Sequence, residues 1–214
     1  MDASVPSDAA AATADDRPGE SVVVATNGIS LHTRQAGPED GPLVVLLHGF
    51  PEFWDGWHRQ ITPLADAGYR VIAPDQRGYN RSDKPDGVDS YHIEELAADV
   101  IGLIDAAGRE TAAVAGHDWG AAVAWWLALS YPARIDSLTA VNVPHPTVME
   151  DTLRRSLSQL RKSWYMIAFQ LPVLPETIAT ANNCRVLQRG LTESSRPGTF
   201  SATDLRRYRE AWTQ

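Results

Sequence analysis

Short apolar runs alternate with stretches of helical spacing along the first two thirds of this chain, and the alternation stops near residue 147. Val22 to Ala25 is β-branched, the pair Asn27-Gly28 follows, and Ile29 to Thr33 is again strand-like. Two such runs around Asn-Gly predict a hairpin. Leu43 to Leu47 is apolar at every position, as a strand covered on both faces must be. A helix-compatible stretch to Ala67 precedes a strand at Tyr69 to Ala73. Leu96, Val100, Leu103 and Ile104 recur at helical spacing and predict a helix over 93–107. A strand over 111–115, a helix over 121–129 and a strand over 135–143 complete the series. Such alternation predicts an α/β architecture, a mostly parallel doubly wound sheet opened by an antiparallel hairpin. From about Val148 to Gln214 the pattern is helix-compatible, broken by prolines, with no convincing strand. A helical insertion over the sheet is the simplest account of it.

Composition narrows the function classes. The 214 residues are 43% hydrophobic, the ordinary globular share. A formal charge of −8 disfavours nucleic acid and anionic membranes as partners. Residues 1–20, rich in Ala, Asp and Pro, lack the basic and apolar segments of a secretory signal and read as a disordered acidic tail. No run is apolar enough to span a bilayer. Cys184 is the single cysteine, so no intrachain disulfide can form, and a cytoplasmic location is expected. No metal-ligand cluster and no nucleotide-binding glycine loop is visible, so no cofactor is expected.

The chemistry concentrates in two short segments. The strand ending at Ala115 runs into Gly116-His117-Asp118-Trp119-Gly120 and a small-residue helix start. Glycines two before and two after a central residue suit a strand-to-helix turn too tight for Cβ atoms, the pattern that exposes a nucleophile. Here the central residue is Asp118. A carboxylate can displace a leaving group from saturated carbon and form an alkyl-enzyme ester, whereas a serine alkoxide suits acyl transfer. The competing reading makes Asp118 an ordinary helix N-cap. His48-Gly49-Phe50-Pro51 follows the buried strand directly. In this arrangement the backbone N–H groups of Phe50 and Trp119 are the expected oxyanion donors, while His48 and Pro51 could equally just shape a turn.

His48 to Trp54, Asp75 to Pro85 and Gly116 to Gly120 together resemble the soluble epoxide hydrolases of the α/β-hydrolase superfamily. The resemblance implies an α/β-hydrolase core over 21–147 and an incomplete helical cap over 148–214, with the C-terminal strands absent. It also implies that Tyr165, in Ser163 to Pro172, is the first of two cap tyrosines that bind the epoxide oxygen. A phenol O–H aimed at the ring oxygen supplies the proton that the departing alkoxide needs. Haloalkane dehalogenases also place Trp after a nucleophilic Asp, so a halide-displacing enzyme is the alternative. In the Asp75 to Pro85 loop, taken as structural, Asn80 stands where many superfamily members have Gly, and Asn tolerates positive φ.

The resemblance further implies a second cap tyrosine, a late-strand acid and a C-terminal histidine, and none can be placed. The six histidines are His32, His48, His58, His92, His117 and His145. His145 lies between Pro144 and Pro146, which suit a stiff turn better than a base. Without a base, an ester on Asp118 should persist. The expected substrates are a small apolar epoxide and water; oligomeric state is left open. A non-catalytic relic or fragment is the remaining reading.

Overall fold

The computed structural model describes residues 17–156, 161 and 174–214. Its centre is a six-stranded sheet in the order β1-β2-β4-β3-β5-β6. β1 (Glu20–Thr26) and β2 (Ile29–Ala36) form the expected hairpin, with Glu20 opposite Gln35 and Thr26 opposite Ile29. Asn27 and Gly28 both take positive φ, 44° and 76°, the left-handed pair that a two-residue hairpin turn requires. β2 pairs antiparallel with β4 (Arg70–Pro74), and from there β3 (Leu43–Leu47), β5 (Ala112–His117) and β6 (Ile135–Val141) run parallel.

The all-apolar strand β3 is buried at all five positions because its side chains feed two layers. Leu43, Val45 and Leu47 join Val100, Leu103 and Ile104 of α2 (Ile93–Ala106) and Val123, Ala124 and Leu127 of α3 (Trp119–Ser130). Val44 and Leu46 point the other way, to Ile61 of α1 (His58–Asp66) and to the C-terminal helices. Fully burying each such side chain stabilises the fold by about 1.5–3 kcal/mol. β3 has the expected limits, and where other strand and helix limits differ from expectation they do so by one to three residues. β5 extends to His117, so the strand runs up to the residue before Asp118.

Among the described residues, three helices follow the sheet: α4 (Pro146–Arg155), α5 (Leu174–Glu193) and α6 (Ala202–Trp212). α5 is broken at Ala181–Cys184, where Asn182, Asn183 and Cys184 all have positive φ. Cys184 is buried, 2% exposed. α6 starts with a capping box, Ser201 and Asp204 each satisfying the other's backbone N–H. Its Tyr208 and Ala211 pack on Phe53 and Trp54. Arg17 bridges Asp55 and Asp204 at 3.1 and 2.6 Å, so the fold already includes residues that the composition assigned to the acidic tail. Among the described residues no helix is long and apolar enough to cross a membrane.

Candidate active site

Asp118 stands at the turn between β5 and α3 with φ 51° and ψ −122°, a strained conformation for a residue with a Cβ. Crowding on both sides enforces the turn. A Cβ on Gly116 would lie 2.3 Å from the Gly120 carbonyl oxygen, and one on Gly120 would lie 2.3 Å from that of Leu47. Although Asp118 occupies the N-cap position, its side chain makes no capping hydrogen bond. The ordinary-cap reading therefore fails. Instead, Oδ1 accepts the Phe50 N–H at 3.0 Å. This close approach needs glycine at 49, since a Cβ there would sit 2.5 Å from the Asp118 Cβ and 2.9 Å from its Oδ1. Trp119 is the first residue of α3, so its N–H has no acceptor within the helix. Its side chain is 53% exposed.

The loop that carries Phe50 is pinned from beneath. His48 is fully buried, accepts the Gln76 N–H on Nε2 at 3.0 Å and contacts the Gly49 carbonyl through Nδ1 at 2.9 Å. That pattern requires the proton on Nδ1 of a neutral ring. Burial, opposed by the Gly49 contact, lowers its pKa accordingly. His48 thus joins two loops and has no proton to spare for catalysis. The Phe50–Pro51 peptide is cis, and the Pro51 carbonyl accepts the Trp212 indole N–H at 2.6 Å.

Glu52 and His117 form a second anchor, with His117 Nδ1 3.1 Å from Glu52 Oε2 and Nε2 3.1 Å from the Asn142 amide. The hydrogen bond to Glu52 raises the His117 pKa against partial burial. Burial works to raise Glu52, but the His117 bond and charge outweigh it and hold the carboxyl below its usual value. Tyr208 reaches Glu52 Oε1 at 3.4 Å, so α6 is fastened to the loop at both Pro51 and Glu52. Neither Glu52 nor Tyr208 carried a role in the sequence reading, since their contact spans 156 positions.

Tyr79, on the loop after β4, packs edge-on to His48 with ring centroids 4.8 Å apart. Burial, and then the Asp118 charge, push its hydroxyl well above the usual phenol range. Asn80 has φ 43°, as its place in the motif implied. An open cavity of about 320 Å³ is lined by Phe50, Pro51, Tyr79, Leu187 and Trp212 among others. Tyr165 lies outside the described residues. His145 caps α4, accepting the Thr147 N–H at 3.2 Å, and packs on Trp125. Those contacts give it a structural role.

A parallel sheet opened by a hairpin, with this glycine-walled turn at the carboxyl end of a central strand, defines the class, and the family model for the alpha/beta hydrolase fold matches residues 42–207. The chain belongs to that family. Among curated relatives it is 56% identical over 191 residues to the AB hydrolase superfamily protein YfhM of Bacillus subtilis, covering 89% of this chain and 67% of that protein. It is 38% identical over 182 residues to epoxide hydrolase A of Mycobacterium tuberculosis, covering 84% and 56%. The crystal structure of Bacillus megaterium epoxide hydrolase in complex with an inhibitor superposes with a TM-score of 0.84 at 33% identity, over 90% of this chain and 66% of that one. The chain thus spans 56–67% of the length of the two curated relatives.

Proposed function

We propose that this chain carries the ring-opening half of an epoxide hydrolase, with Asp118 as nucleophile. One observation carries the proposal: Asp118 is held in a strained turn with one oxygen on the Phe50 N–H and no capping bond. The two oxygens then have different work. Oδ2 attacks an epoxide carbon, the C–O bond breaks, and the alkoxide takes a proton from a phenol, assigned to Tyr165. The product is a hydroxyalkyl ester of Asp118. In the second step activated water attacks Cγ, and the charge develops on Oδ1, where the Phe50 and Trp119 N–H groups receive it. Collapse releases the diol and restores the carboxylate. The base for that step is a histidine, and wherever none activates the water the ester persists on Asp118.

The apolar wall formed by Phe50, Leu187 and Trp212 suits a small apolar epoxide. The experiment is intact-mass analysis of the purified chain with excess styrene oxide. One stable adduct mapping to Asp118, absent in Asp118→Asn, is expected. A folded chain that never labels would overturn the nucleophile assignment. Labelling by a bromoalkane but by no epoxide would favour the dehalogenase reading.

A further inference from the structure

Away from Asp118, the hairpin and β4 assemble a second arrangement with nucleophilic connectivity. β1 and β2 pair so that Ser21 lies opposite Arg34 and Val23 opposite His32, which puts the side chains of Ser21, His32 and Arg34 on one face. β2 continues antiparallel to β4 to the pair Thr33–Pro74, which brings His32 beside Asp75. The Ser21 hydroxyl is 2.8 Å from His32 Nε2, and His32 Nδ1 is 2.6 Å from Asp75 Oδ2. His32 is 4% exposed and Asp75 wholly buried, whereas Ser21 is exposed.

The hydrogen bonds set the direction of the relay. Asp75 is held by the Trp54 N–H at 3.0 Å on Oδ1 and by the Asn80 amide at 2.8 Å on Oδ2. A carboxylate with those donors stays an acceptor, so Nδ1 of His32 carries the proton. Nε2 is left to accept from the Ser21 hydroxyl. A buried acid orienting a histidine whose far nitrogen accepts from a serine is the connectivity of a serine nucleophile, recognised by geometry whatever the order in the chain. The cavity that Ser21 and His32 line has a volume of about 970 Å³, and its wall includes Trp54, Arg34 and Arg81 but not Asp118. Arg34, the residue paired with Ser21 across the ladder, stacks over Trp54 with its guanidinium 4.6 Å from the ring centroid and donates to the Pro18 and Arg17 carbonyls, a buried positive charge in the cavity wall.

We propose that Ser21, His32 and Asp75 form a second hydrolytic site, acting on small carboxylic esters. Ser21 Oγ attacks the carbonyl carbon and passes its proton to His32 Nε2. The tetrahedral intermediate, its negative oxygen facing Arg34, collapses by breaking the bond to the alcohol, which leaves with the proton from His32. Water then repeats the sequence: its proton goes to His32, the hydroxyl adds to the acyl carbon, and Ser21 leaves and is reprotonated. Ester and water become acid and alcohol. Asp75 touches no substrate and positions the ring.

The test is a fluorophosphonate probe on the whole chain, with peptide mapping and a time course. Ser21 should be phosphonylated about 100-fold faster than any other serine, the smaller end of what a positioned base contributes. p-Nitrophenyl acetate should give a burst of one p-nitrophenol per chain. Ser21→Ala should retain the parent melting temperature and lose both signals. Because labelling maps to a residue, this result is separable from any alkylation of Asp118. A chain whose Ser21 labels no faster than its other serines, or a burst unchanged in Ser21→Ala, overturns the proposal.

Discussion

Asp75 and Asp118 follow β4 and β5, the two strands that flank β3 in the same sheet, yet their carboxyl groups live in opposite circumstances. Asp75 is wholly buried and accepts from the Trp54 N–H, His32 and Asn80. Among the described residues, the Asp118 carboxylate makes one hydrogen bond, to Phe50. A carboxylate saturated with donors is stabilised as a base and immobile, suited to orienting a partner. One with an oxygen left unengaged keeps a lone pair for attack. The contrast extends to the backbone: Asp75 directly follows β4 and its N–H still bonds the His32 carbonyl of β2, while Asp118 is strained into positive φ. The difference is in what surrounds the two groups, since the side chains are identical.

The comparison breaks most severely at Asp118 itself. Asp118→Asn keeps a residue type that tolerates positive φ, and should keep the fold while losing all epoxide alkylation, read by intact mass. The opposite substitution should damage structure before chemistry. Asp75→Ala strips a buried acceptor from three donors and should cost about 3–5 kcal/mol, measured by urea unfolding. A loss below 1 kcal/mol would show that the Asp75 network is incidental to stability. Gly49→Ala sharpens the contrast from a neighbouring position. Its Cβ would press on the Asp118 carboxylate, and a shift of about 1 Å should slow alkylation on the order of 100-fold, read as the rate of adduct formation. The smallest effect concerns the histidine beside Asp118. His117 is raised from 6.5 by Glu52, so its stabilisation is fully present below pH 6.5 and is lost as pH rises through the higher folded value. Glu52 is lowered from 4.5, so its share is present above 4.5 and lost as pH falls through the lower folded value. Glu52→Gln should move the His117 midpoint downward in a proton NMR titration, and an unmoved midpoint would remove Glu52 as the cause.

Local pattern reached far into this molecule. The all-apolar run Leu43 to Leu47 could only be a strand covered on both faces, and Asn27-Gly28 could only reverse the chain tightly. Gly116 to Gly120 identified the turn because it needs small residues at fixed offsets from one larger one, a requirement written in five consecutive letters. The paired loop His48 to Pro51 was legible for the same reason, and its Phe50 N–H does reach Asp118. The contacts of His48 with Gln76 and Gly49 could not be read from that order, since Gln76 lies 28 positions away. The boundary of the acidic tail was drawn too late, because the ion pairs of Arg17 join it to Asp55 and to Asp204, 187 positions away.

What rested on residues close in the chain could be read from their order, because backbone sterics and side-chain periodicity act over a few positions. That covers the strands, the helices, the hairpin and the turn at Asp118. The partners of Glu52, His117, Ser21, His32 and Asp75 became visible only after folding. A hydrogen bond between residues 43 or 156 positions apart depends on how strands register and on where a late helix docks, as it does for His32 with Asp75 and for Glu52 with Tyr208. No short-range signal encodes that registry. The chain spells out where a carboxylate will stand, and packing settles which donors surround it.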